Sequence, residues 1–135
     1  MQYIERDIDH DLITWKNQIS RKPLLIRGAR QVGKSSTVRN LGKTFEYFIE
    51  LDFISNKSIR KLFEGDLNPI RIYEELSLFF NTPIIPNKTL VFFDEIQACI
   101  PAITSLRSFY EKAPEIHLIS AGSLLEFSLK DLLTE

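Results

Sequence analysis

The residues Gly28-Ala29-Arg30-Gln31-Val32-Gly33-Lys34-Ser35 spell G-x-x-x-x-G-K-[ST] directly after the apolar run Leu24-Leu25-Ile26. No other stretch constrains the fold as strongly, because this pattern works only as a turn between a strand and the first turn of a helix. The two glycines let the backbone wrap a phosphate group, and successive N–H groups at a helix start point inward as anion donors. Lys34 would then reach the β- and γ-phosphates, and Ser35 would hold Mg²⁺. The plainer alternative is a Gly-rich turn between strand and helix.

The rest of the chain alternates strands with helices. Ile8, Leu12, Trp15 and Ile19 recur at helical steps and predict a helix ended by Pro23; Leu24 to Arg27 follows as a strand. The helix after the loop covers Gly33 to Leu41, with Gly42 as its stop. Phe45 to Leu51 alternates as a second strand ending at Asp52. A short helix around Lys57 to Phe63 stops at Gly65, and a longer one opens with Asn68-Pro69 and turns Ile72, Tyr73, Leu76, Phe79 and Phe80 inward. Thr89 to Phe93 is apolar enough to be buried on both faces of a parallel sheet. Pro101 starts a helix with Ile103, Leu106, Phe109 and Tyr110 inward; Ile116 to Ser120 is a fourth strand, feeding a helix at about Ser123 to Leu133. The expected class is α/β, layered around a mainly parallel sheet, in a single domain over residues 1–135.

Leu90-Val91-Phe92-Phe93 runs into Asp94-Glu95, so two acids sit at the C-terminal tip of a buried strand, where open α/β sheets bind ligands. Joined to the loop, Asp94 would share the Mg²⁺ with Ser35, and Glu95 would accept a proton from, or orient, an attacking water. Without the loop, the same acids read equally as a solvated strand end. Ser123, and after it Ser120, could hydrogen-bond a γ-phosphate or the water, although Ser123 reads equally as a helix cap. Asp52 could add an outer contact to metal or water, but a solvated strand-end acid is the plainer reading. Arg30 is read as facing solvent or a partner, and neither His10 nor His117 is expected to be catalytic.

Composition narrows the function further. The chain has 135 residues, is 44% hydrophobic with ten Phe, and carries a net charge of -1, so it can bury a core and has no global field for nucleic acid. A nucleic-acid partner stays open but unsupported by charge. The single cysteine, Cys99, excludes an internal disulfide, and two histidines are too few for a zinc cluster. No apolar stretch approaches the ~20 residues of a membrane span, which gives the expectation of a cytoplasmic protein without a membrane partner. Asn56-Lys57-Ser58-Ile59 and Asn87-Lys88-Thr89-Leu90 both lack the aspartate of Asn-Lys-x-Asp, so guanine specificity has no support. A small-molecule kinase does not need a Glu beside the metal-binding Asp, so Asp94-Glu95 favours hydrolysis by water.

Together, Arg27 to Ser35, Ile49-Glu50-Leu51-Asp52, Phe92-Phe93-Asp94-Glu95-Ile96-Gln97 and Ala121-Gly122-Ser123 look like one prokaryotic group. The chain resembles the AAA-like ATPases of the archaeal-type P-loop superfamily, whose members often carry a C-terminal domain of unknown function. The resemblance implies a three-layer P-loop NTPase core with an additional strand between the Walker A and Walker B strands. Ile116–Ser120 would lie between Leu24–Arg27 and Thr89–Phe93, and Phe45–Leu51 outside the latter. It also implies ATP and Mg²⁺ as cofactors, held by Gly28, Ala29, Arg30, Gln31, Val32, Gly33, Lys34, Ser35 and Ser36, with Ser35 and Asp94 on the metal. Catalysis would fall to Glu95, Lys34 and Ser123.

Such proteins usually continue past the fourth strand, so the chain is expected to be truncated there. An arginine finger would then come from the missing part, a homo-oligomer or a partner protein, with Arg107 as the one in-chain candidate. Two functions follow as expectations: an Mg²⁺-dependent ATPase, or a nucleotide-binding module that holds ATP without appreciable turnover.

Overall fold

The computed structural model describes residues 7–18, 24–27 and 34–122. In chain order its elements are α1 (Asp7–Lys16), β1 (Leu24–Arg27), α2 (Lys34–Gly42), β2 (Tyr47–Asp52), a 3-10 helix (Lys57–Phe63), α3 (Pro69–Phe80), β3 (Thr89–Asp94), a 3-10 turn (Ile96–Ala98), α4 (Ile100–Lys112) and β4 (His117–Gly122). The four strands form one all-parallel sheet in the order β1-β4-β3-β2. This is an α/β fold of the P-loop NTPase kind, and β4 takes the expected place between the strand before the loop and the strand carrying Asp94. The predicted helix over Ser123 to Leu133 lies outside the described residues.

Strand periodicity divides the core in two. Ile49, Leu51, Val91, Phe93 and Leu118 face one side and pack with α3, α4 and the 3-10 helix. Ile26, Leu90, Phe92, Ile119 and Ala121 face the other and pack with Leu12 and Trp15 of α1 and Val38 and Leu41 of α2. Every residue of β3 is buried, as a strand covered on both faces requires. Phe92 and Phe93, wholly buried on opposite faces, each contribute roughly 1.5–3 kcal/mol of transfer free energy. The same alternation sends Glu50, Asp52 and Asp94 to the α2 side, because they are in step with Phe92 and out of step with Phe93.

Local signals account for the boundaries of α3. The Asn68 side chain accepts from the Ile70 N–H at 3.0 Å, Pro69 occupies the first turn, and Asn81 closes the helix in the left-handed region. Three expectations need correction. Phe79 is 47% exposed and Tyr110 37%, so neither turns inward; Ala102 and Ser105 take the inward places on α4. Gly42 belongs to α2 and is not its stop: a Cβ there would come within 2.7 Å of the Phe48 ring, so close approach explains the glycine.

Candidate functional site

Asp94 ends β3 at the C-terminal edge of the sheet, on the face covered by α2, and Ser35 lies in the first turn of α2. The Ser35 Oγ donates to Asp94 Oδ2 at 2.8 Å, across a sequence separation of 59 residues. The Glu95 N–H donates to the other oxygen, Oδ1, at 2.9 Å. Burial pushes the Asp94 carboxyl above the usual carboxylate range. The two hydrogen bonds oppose that rise, and the nearby Glu95 and Asp52 charges add to it.

The two oxygens suit a hard cation. Ligands side by side on Mg²⁺, at its usual ~2.0–2.1 Å, lie about 2.9 Å apart, close to the Ser35–Asp94 separation. Among the described residues there is no group of three or more His, Cys, Asp or Glu that could hold a metal ion. A hydroxyl and one carboxylate fit Mg²⁺ that takes its remaining ligands from phosphate and water.

Glu95 leaves the strand with φ +54, a left-handed conformation uncommon for a non-glycine residue. Its backbone caps the turn Ile96–Ala98, whose Ile96 is wholly buried. Glu95 as a whole is only 8% exposed, and its side-chain Oε1 accepts from Gln97 Nε2 at 3.1 Å. Neither Gln97 nor the positive φ was singled out from the sequence; the Asp-Glu-Ile-Gln spelling was the only trace of Gln97.

Other candidates fall into place differently. Asp52 pairs in register with Asp94, but its Oδ1 accepts from the Ile54 and Ser55 N–H groups at 2.9 and 3.1 Å, so it organises the turn after β2. The Ser120 Oγ is buried without a hydrogen-bond partner among the described residues. His117 opens β4, buried, with Nε2 2.8 Å from the Lys16 carbonyl oxygen, an anchor for α1. Arg107 pairs along its own helix with Glu111 at 3.8 Å. Ser36 follows Ser35 in α2 and is half-buried; Lys34 begins that helix, its side chain outside the description. Gly28 to Gly33 and Ser123 lie outside the described residues. Arg39 of α2, not anticipated, grips Glu50 with two hydrogen bonds of 2.8 and 2.7 Å.

A concavity of about 580 Å³ lies elsewhere, against α3 and Ala113–Ile116, at the end where β3 and β4 begin. It holds none of the predicted site residues. The AAA domain family model matches residues 20–135. The chain belongs to the AAA domain family. That membership carries nucleotide binding of the ATPase-like class. No curated protein matches the chain. Among the described residues no helix is long and apolar enough to cross a membrane.

Proposed function

We propose that this AAA domain binds ATP with Mg²⁺ and hydrolyses the β–γ phosphoanhydride. The observation that carries the reading is the 2.8 Å contact of Ser35 with Asp94, with Glu95 next in the chain at the same strand tip. Ser35 and Asp94 hold the metal; when bound, Mg²⁺ neutralises charge across the β- and γ-phosphates. Lys34 and the amides of Gly28 to Ser36 bind the phosphate oxygens. Glu95 orients a water and takes its proton while the water oxygen bonds to the γ-phosphorus and the bond to the β–γ bridging oxygen breaks, releasing ADP and phosphate. Ser123 hydrogen-bonds the γ-phosphate or the water, and an arginine from a second subunit or partner protein adds positive charge to the transition state.

The test is Glu95→Gln, measured by ATP titration with Mg²⁺ and by phosphate release. Binding should persist while turnover is abolished; undiminished release would remove Glu95 from the role of base. Wild-type protein that binds ATP yet releases no phosphate would instead be a nucleotide-binding module. Loss of release in Lys34→Ala supports the enzyme.

A further inference from the structure

We propose that Gln97 is a positioning residue that fixes the carboxylate of Glu95 for its work on water, an inference that rests on the hydrolytic reading above. The Glu95 side chain has three rotatable bonds, and general-base work needs one of its oxygens aimed at the reacting water. The backbone beneath it is pinned by hydrogen bonds and by a buried side chain. Glu95 sits at φ +54, its carbonyl accepts from the Ala98 N–H at 3.1 Å, the Ile96 carbonyl accepts from the Cys99 N–H at 2.9 Å, and Ile96 anchors the turn in the core. On that turn Gln97 reaches back two residues, and its Nε2 donates to Glu95 Oε1 at 3.1 Å.

The chemistry of the amide suits this task. A lysine or arginine in its place would hold the carboxylate too, but a full positive charge depresses the carboxylate's affinity for a proton. A neutral N–H holds one oxygen of the carboxylate without placing a positive charge beside it. The reverse amide orientation would set two oxygens against each other, so the hydrogen-bond network assigns Nε2 to this contact.

The other end of the amide argues that the residue is not there for the fold. Gln97 Oε1 is buried without a hydrogen-bond partner among the described residues. Such an acceptor destabilises a folded protein, and an unbranched apolar side chain of the same length would avoid the cost. Among the described residues the amide's hydrogen bond is the one its N–H makes to Glu95.

The experiment compares wild type, Gln97→Met, Glu95→Gln and the double variant, as full chains, in steady-state ATP hydrolysis with Mg²⁺, ATP titration and thermal unfolding. Gln97→Met should lose about tenfold to a hundredfold in kcat, with KM and ATP affinity within about twofold and Tm equal or higher. Adding it to Glu95→Gln should cost nothing further, since the group it orients is already gone. An unchanged or raised kcat in Gln97→Met overturns the proposal, as does a kcat loss matched by lower Tm and weaker ATP binding. If Glu95→Gln turns over like wild type, or wild type releases no phosphate, the hydrolytic reading fails with it. If Glu95→Gln is dead and Gln97→Met is unimpaired, only the positioning role fails.

Discussion

The ring of Phe48 lies so close to Gly42 that a Cβ on the glycine would stand 2.7 Å from Phe48 Cδ1 and 2.9 Å from Cγ. In an unobstructed helix interior, Gly→Ala gains up to about 1 kcal/mol. Here the contact reverses the sign, because Cγ is fixed close to the Phe48 backbone and cannot simply swing aside. Gly42→Ala is expected to destabilise the domain by about 1–3 kcal/mol, the usual cost of overpacking. Pairing it with Phe48→Ala should recover most of that loss relative to Phe48→Ala alone, read as a double-mutant cycle in urea denaturation.

Asp94 gives a pH dependence whose sign follows from its burial. Its carboxyl titrates above the ordinary value of 3.8, so the neutral acid is the form the fold favours. The resulting stability is full below that value and is lost as pH rises through the folded-state value. Asp66 works in the opposite direction: the Asn68 N–H and Arg71 lower its titration, giving stability that is lost as pH falls. Subtracting the Asp94→Asn curve from wild type cancels the Asp66 contribution. Without metal, Asp94→Asn should therefore be as stable as wild type or more so at neutral pH. In the presence of Mg²⁺ and ATP its turnover should fall by at least ~100-fold. A variant that is less stable without metal and still hydrolyses ATP would refute both halves.

Much of this arrangement is legible in the sequence for identifiable reasons. Leu24–Arg27 is bounded by Pro23 and the glycine loop, and Asn68-Pro69 states the start of α3 in side-chain chemistry, so these boundaries coincide with the structure. The place of β4 between β1 and β3 came from the family resemblance, because periodicity carries no information about which strands are neighbours. Phe79 and Tyr110 lie at helical spacing yet outside the covered stripe, because spacing defines a stripe whereas its covered width depends on what packs against it. The positive φ of Glu95 had no local signal at all. A strand tip and a buried turn impose it, and only their packing reveals the contact with Gln97.

His117 of β4 ties α1 to the sheet through Lys16 and Trp15, and also meets Phe45 in the segment after α2. Its Nε2 lies 2.8 Å from the Lys16 carbonyl oxygen, and its ring meets Trp15 and Phe45 edge-on at 5.3 and 4.9 Å. Lys16 extends the same junction, donating to the Thr44 hydroxyl and carbonyl and lying over the Phe45 ring. His117→Ala removes the hydrogen bond and leaves a cavity between two aromatic rings, so a loss of about 2–4 kcal/mol is expected. Hydrogen exchange should show α1 losing protection ahead of β3. Uniform loss across the domain would mean that His117 supports the sheet and not the docking of α1.

Tyr73 on α3 makes the converse case, a polar atom whose removal should help. Its ring stacks at a tilt against Phe109, 4.7 Å between centroids, while its hydroxyl is buried with no hydrogen-bond partner among the described residues. Burial, with the charge of Glu115 nearby, pushes the phenol well above its ordinary range, so it stays neutral and its oxygen serves no ionised role. Tyr73→Phe keeps the ring contact and deletes the unsatisfied group. Relieving a buried unsatisfied hydroxyl is worth about 0.5–2 kcal/mol, set against the small void left by one oxygen. The variant should therefore raise the urea midpoint with an unchanged slope and leave ATP affinity alone, because α3 packs on the face of the sheet away from Asp94. A drop in the midpoint would show that the hydroxyl has a partner in solution.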